Sequence, residues 1–287
     1  IAGLVVSGFG LASVYIAPLS KYLVNNWGLQ SAMLFFGIGF LAVVSLLSMF
    51  LVNPPQGYVP EGAAPATAAA RAAAAVDMKP SQIIRTPGFY VLWLLFFIGS
   101  GAGLMVIGSV AGMAKKSLGE MAFVAVAIMA IGNAGGRIIA GILSDRIGRA
   151  RTLLLMMSFQ AILMFAAIPI VGAKGFGPVP IVVLATFIGF NYGTNLSLFP
   201  SFAKDRWGLK NFGANYGALF SAWGVGGFIM GRVSEMLKAT TGSFDSCFAV
   251  AGVALALGAA LSLALKDPKK AVRSQVAPEA RPAIQKI

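Results

Sequence analysis

GNAGGRIIAGILSDRIGRARTL, residues 132–153, is an apolar helical stretch carrying Asn133 and Arg137 that runs straight into a charged Asp-Arg-x-Gly-Arg turn. The helix is long enough to sit in hydrocarbon. A guanidinium there costs about 2.5–3.5 kcal/mol on insertion scales, so such a residue is a functional-site hypothesis by default.

Working outward, the rest of the chain has the same solvent in view. Hydrophobic residues make up 58% of it and charged residues 11%, with a mean hydropathy of +0.83; a soluble domain is about one quarter charged. Stretches of bilayer-crossing length, about 17–25 residues each, fall at 2–24, 31–52, 88–113, 121–143, 152–172, 179–202, 212–236 and 244–266. They lack period-2 alternation, which excludes a barrel and predicts an all-α, polytopic membrane protein whose backbone polar groups are satisfied within each helix.

The net charge of +13 does not point to nucleic acid, because the basic residues are spread by loop rather than gathered on an aromatic-laced patch. One set of loops holds Arg71, Lys79 and Arg85; Arg146, Arg149 and Arg151; Lys204, Arg206 and Lys210; and a tail with Lys266, Lys269, Lys270, Arg273, Arg281 and Lys286. The opposite set holds Lys21, Lys115, Lys116, Lys174 and Lys238. The richer side, with the C-terminus, is expected to be cytoplasmic, in the inner (plasma) membrane of the cell. Cys247 is the one cysteine and there is no histidine, so intrachain disulfides, thiolate clusters, His-based metal sites and His proton relays are excluded, and no cofactor or metal is expected.

The expected organisation is two helices at 1–52, a cytoplasmic linker at 53–87, six helices at 88–266 and a basic tail at 267–287. The linker opens on NPPQGYVP and continues Ala-rich, with Pro60, Pro65 and Pro80 limiting any helix, so it reads as a tether. Gly8–Leu34 resembles Trp223–Phe248 at a near-constant offset: Phe9-Gly10 falls opposite Trp223-Gly224, Ser20 opposite Ser234 and Gly28 opposite Gly242. Repeats about an axis along the membrane normal are expected in two-half transporters. On that reading 1–52 are the last two helices of an N-terminal bundle, 88–266 are a complete six-helix C-terminal bundle, and about four helices precede Ile1; a start codon at Ile1 would sink this expectation.

The turn from Gly141 to Arg151, GILSDRIGRAR, resembles the G-x-x-x-D-R-x-G-R signature of the major facilitator superfamily. FLVNPPQGYVP (50–60), TPGFYVLWLLFFIGSGAGLMVIGSVAGMAK (86–115) and NYGALFSAWGVGG (215–227) are similar to the oxalate:formate antiporter family within it, a group close to monocarboxylate transporters. The resemblance implies two bundles, a substrate site near the midplane and alternating access. It also implies that Arg137, where family members place an arginine for anion binding, anchors a substrate carboxylate.

Read locally, Asn133 and Arg137 are four apart and share a helix face, and the guanidinium fork suits a carboxylate. The bland alternatives are snorkelling to the surface or an internal ion pair, which would need a partner from the helices expected before Ile1, since the interiors of the apparent spans hold no acidic residue. Asp145, Arg146, Gly148 and Arg149 read as a conformational latch at the turn, or as plain positive-inside anchoring. GSGAG (99–103) and GNAGG (132–136) read as close-packing sites rather than hinges. Phe190, Asn191, Tyr192, Thr194 and Asn195 either glue helices or line the cavity. Phe9, Tyr15, Tyr90, Tyr216, Phe220 and Trp223 are candidate aromatic walls, with core or lipid packing the bland alternative. Oxalate-specialised relatives carry a lysine midway along the seventh span; here the nearest equivalent is Trp223, which favours a monoanion. Arg232 beside Glu235 is a candidate outer gate.

The expected function is therefore a secondary transporter of small carboxylates, oxalate/formate or lactate/pyruvate-like, as anion antiporter or proton symporter. Expected partners are small organic anions, the lipid bilayer and a proton as candidate coupling ion, in a monomer. The alternative is a transporter-like sensor for organic anions. An intramembrane enzyme lacks an evident general base, since the spans hold neither histidine nor an acidic dyad.

Overall fold

The computed structural model describes residues 2–52, 77–118, 122–172 and 178–265, with the side chains of 2–3, 108–123 and 172–178 left aside. These residues form α1 (Ala2–Ser48), the short α2 (Pro80–Ile83), α3 (Pro87–Leu118), α4 (Ala122–Ile147), α5 (Arg149–Gly172), α6 (Pro178–Trp207), α7 (Phe212–Thr241) and α8 (Asp245–Ser262). Six helices are long and apolar enough to cross a membrane. The difference from the eight expected spans has two causes. The break expected between residues 24 and 31 falls inside one stretch: α1 is two helices joined at Gly28, whose backbone is non-helical (φ 77°, ψ 168°), and the apolar stretch Leu4–Ser48 is 45 residues long, enough for two crossings. α7 carries Asn215, Ser221, Arg232, Glu235 and Lys238 and is too polar to count by composition alone.

Turns between helices are set by glycines in the left-handed region, where a Cβ would be strained. Gly148 (φ 95°) is the one residue between α4 and α5; Gly208 (φ 84°) follows α6; Gly242 (φ 70°) follows α7 and donates its N–H to the Lys238 carbonyl at 2.9 Å. Gly28 and Gly242, paired by the internal repeat, both interrupt helical backbone with positive φ.

α3 and α6 lie at the centre: α3 packs on α6, α7 and α8, while α6 also packs on α4 and α5. α1 leans on α4. Two apolar cores result. One, near the end bearing the Asp-Arg-x-Gly-Arg turn (the basic end below), gathers Ile83, Phe89, Leu153, Phe199 and Trp207, with Phe96 stacked on Phe199 at 4.2 Å between ring centroids. The other gathers Met129, Met164, Leu184, Phe248 and Leu255. The outer faces of the helices are apolar too: Leu41, Leu47, Ile139, Phe228 and Leu257 are exposed, as lipid-facing residues must be.

The Ala-rich part of the linker lies outside the described residues, but its last stretch corrects the tether reading. Residues 77–86 are structured against the bundle: Ile83 is fully buried, and the Met78 N–H donates to the Trp207 carbonyl at 3.0 Å.

Candidate functional site

Glycine decides where this site is. Gly132 and Gly136 on α4 face the Thr186 and Phe190 carbonyls of α6, and Gly189 and Gly193 on α6 face the Met129 and Asn133 carbonyls of α4. The two helices therefore meet backbone to backbone through reciprocal glycine pairs four residues apart, an arrangement that suits helix packing in lipid. The packing reading of GNAGG stands; its partner strand of glycines on α6 was not singled out in the sequence. In GSGAG, Gly99 lies against Asn195, Gly101 against Met230 and Gly226, and Gly103 against Tyr192.

Gly10 brings α1 equally close to α4, since a Cβ there would sit 3.0 Å from both Asn133 Oδ1 and the Ala134 nitrogen. That approach delivers the first helix to Arg137. The guanidinium is fully buried; its Nε donates to Asn133 Oδ1 at 2.9 Å and its Nη1 to the Val6 carbonyl at 2.8 Å. The Phe9 ring covers it, 4.9 Å from centroid to Cζ, a cation–π contact strengthened by burial. Nη2 has no hydrogen-bond partner among the described residues, and no acidic residue pairs with Arg137 there. Among the described residues the side chain does not snorkel and forms no ion pair. Arg137 lies ten residues before the end of α4 at Ile147, about 15 Å along the helix, or half of a hydrocarbon core about 30 Å thick.

Tyr192 and Tyr216 lie within electrostatic range of the Arg137 guanidinium. The Trp223 indole N–H donates to the Tyr192 hydroxyl at 2.8 Å, joining α7 to α6. Trp223 also ends a ladder of rings on α7: Phe212–Tyr216 at 5.6 Å, Tyr216–Phe220 at 5.5 Å and Phe220–Trp223 at 5.3 Å. So Arg137, Asn133, Tyr192, Trp223 and Phe9 assemble around one region. Asn191 is buried but spends its Nδ2 on the Phe187 carbonyl of its own helix at 3.2 Å, leaving Oδ1 unpartnered. Tyr15 and Tyr90 are 61% and 60% exposed among the described residues.

At the basic end, Arg149 is buried and triply engaged. It donates to the Ser144 hydroxyl, pairs with Asp145 at 2.7 Å, and its Nε reaches Asp205 on α6 at 3.2 Å. Asp205 was not singled out in the sequence; its Lys-Asp-Arg setting reads as one more loop charge. The pair ties the α4–α5 turn to the end of α6. Arg146 is exposed in the last turn of α4, where a cation meets the negative end of the helix. Asp205 is 18% exposed and Asp145 65%, so the two should differ. Asp205→Asn is expected to cost about 2 kcal/mol, the range of a hydrogen bond to a charged group, and Asp145→Asn below about 1 kcal/mol; equal shifts in thermal unfolding would refute the ranking. Arg232 and Glu235 pair at 2.9 Å within one turn of α7, both exposed, a local surface pair rather than a bridge between helices.

Against known proteins, residues 1–231 match the model of the Major Facilitator Superfamily. The chain is 26% identical over 234 residues to the uncharacterized MFS-type transporter YhjX of Escherichia coli K12, covering 79% of this chain and 54% of that protein. It is 25% identical over 264 residues to the oxalate:formate antiporter of Oxalobacter formigenes (91% and 60%). It is 26% identical over 265 residues to monocarboxylate transporter 13 of Rattus norvegicus (92% and 58%). The chain thus spans between 54% and 60% of the length of these relatives.

Proposed function

The chain belongs to the Major Facilitator Superfamily, and on that premise we propose that it forms the anion-binding side of a transporter for small carboxylates, working by alternating access. The observation that carries this is Arg137: a fully buried guanidinium at mid-span, oriented by Asn133 and the Val6 carbonyl, with Nη2 unpartnered and no carboxylate paired with it among the described residues. A lone buried cation is stabilised by an anion that reaches it, and a fork with one free nitrogen takes a carboxylate oxygen through a charge-assisted bond. Asn133 and Val6 restrict the fork's rotation, so little ordering remains for the ligand to bear.

With one cation in the region, a monocarboxylate balances the charge better than a dianion. Tyr192, its hydroxyl oxygen occupied by the Trp223 indole, keeps its O–H proton to offer as a neutral donor, and the α7 ring ladder limits the size of what sits beside it. Binding neutralises Arg137, which lowers the cost of moving the site between its two facings; a ligand that favoured one facing strongly would trap it. The Arg149–Asp205 tie and the Gly148 turn act as a latch at the basic end; the excess of basic loop residues supports a cytoplasmic position for that end and for the C-terminus. Antiport against a second carboxylate needs no further group; proton symport requires a carboxylate beyond those of the described spans, since the chain has no histidine.

The test is counterflow in proteoliposomes with the full-length parent and labelled formate, lactate, pyruvate and oxalate. The expected result is saturable exchange of monocarboxylates, with oxalate at least ten-fold poorer. Binding without exchange would move the reading to an anion sensor, and oxalate preference would remove the charge-balance argument.

A further inference from the structure

We propose that the linker ends in a clasp that opens and closes with the transport cycle and holds the foot of α7, the helix that carries the Tyr216–Phe220–Trp223 ladder. The clasp is built from residues 77 and 78 against the α6–α7 turn. The Met78 N–H donates to the Trp207 carbonyl at 3.0 Å. Its own carbonyl accepts from Asn215 Nδ2 at 2.8 Å and from Asn211 Nδ2 at 3.3 Å. The backbone N–H of Lys210 donates to Asp77 Oδ1 at 2.9 Å.

Three features separate this from a passive seam. First, its links are hydrogen bonds at an edge where Asp77 is exposed, and these exchange with water more readily than the apolar packing of Ile83, Phe89 and Trp207 on which the Met78 side chain rests. Second, Asn215 is fully buried and its Oδ1 has no hydrogen-bond partner among the described residues. A buried oxygen left unsatisfied raises the closed arrangement above a better-paired one, so the clasp is poised rather than locked. Third, the clasp and the Arg149 latch end on the same two turns of α6, at Trp207 and Asp205. Apart from its long contact with α3, α7 has only slight packing on α6 and α8. The clasp therefore decides how firmly its basic end is held.

The role of the motion rests on the transport reading above, but its existence is tested separately. The full-length parent, with Cys247→Ser and spin labels at Ser81→Cys on α2 and Leu209→Cys in the α6–α7 turn, is placed in nanodiscs and the label separation read by dipolar spectroscopy. Two separations are expected, their ratio changing when formate or oxalate is added. Asn215→Leu, which keeps the volume and removes the donor, should raise the longer separation at least five-fold. Asp77→Ala, at the exposed edge, should move the ratio the same way by a smaller factor in a fold it cannot endanger. A single separation under every condition, or a ratio indifferent to both variants, overturns the clasp. A ratio that follows the variants but ignores every carboxylate supports the clasp and fails the substrate reading.

Discussion

Arg137→Gln in the full-length parent is expected to lower the kcat/KM of carboxylate exchange by more than 100-fold while leaving thermal unfolding within a few degrees of wild type. The two halves of this result have separate causes. Exchange fails because the charge that the anion seeks is gone, and a 100-fold loss corresponds to about 2.7 kcal/mol of binding or transition-state energy, within what one charge-assisted contact in a low-dielectric site supplies. Stability holds because the same substitution removes a charge that mid-membrane burial penalises, and glutamine keeps one amide donor for Asn133 Oδ1 or the Val6 carbonyl, which Arg137 now serves at 2.9 and 2.8 Å. A brace would behave oppositely, losing stability in proportion to activity. Arg137→Lys is the sharper control: it keeps the charge but has no planar fork to satisfy Asn133 and Val6 at once, so exchange should fall at least ten-fold. Wild-type exchange by Arg137→Gln would remove Arg137 from the site, and wild-type exchange by Arg137→Lys would show that the charge suffices without the fork.

The sequence pointed to Arg137 and Asn133 because both signals are local: a guanidinium in an apolar run, and a spacing of four on a helix. It pointed to the Asp145–Arg149 turn for the same reason. It missed what is made only by folding. Val6 offers a backbone carbonyl, which leaves no mark in a side-chain reading. Asp205 sits between Lys204 and Arg206 and looks like ordinary loop charge until α6 places it beside Arg149. Asn215 lay inside a stretch noted for its family likeness alone, and its burial under Met78 follows from where the linker returns to the bundle. Helix number was legible from apolar length, and the first boundary falls at Gly28, where two helices meet through non-helical backbone. That the Phe9 ring covers Arg137 while Tyr15 and Tyr90 are exposed could not be told from sequence, since aromatic content carries no direction.

The second large effect concerns the glycines that let α4 and α6 touch. Gly193→Ala is expected to cost about 3 kcal/mol or more, so that the protein unfolds many degrees early or fails to accumulate, because the new Cβ collides with the Asn133 backbone carbonyl and lies 2.9 Å from Asn133 Oδ1. Backbone cannot rotate away as a flexible side chain can, so the helices must part, and overpacking of this kind lies at or beyond the upper end of the usual 1–3 kcal/mol. Gly136→Ala meets the Phe190 carbonyl and should do the same. Gly135→Ala is the internal control. It is adjacent in sequence and equally helical, but nothing lies within 4 Å of its added methyl, so it should be neutral or stabilising by up to about 1 kcal/mol from helix propensity. Thermal unfolding of the three purified full-length variants decides it, and equal stability of Gly193→Ala and Gly135→Ala would show that α4 and α6 are not in backbone contact. The same separation would carry Arg137 and Asn133, both on α4, away from Tyr192 on α6. Any surviving Gly193→Ala protein should therefore also exchange carboxylates more slowly, whereas Gly135→Ala should exchange them as wild type does. The seam and the proposed site share one construction: glycine spacing sets the distance between α4 and α6, and that distance sets Arg137 of α4 relative to Tyr192 of α6, while Asn133, Val6 and Phe9 hold the guanidinium itself.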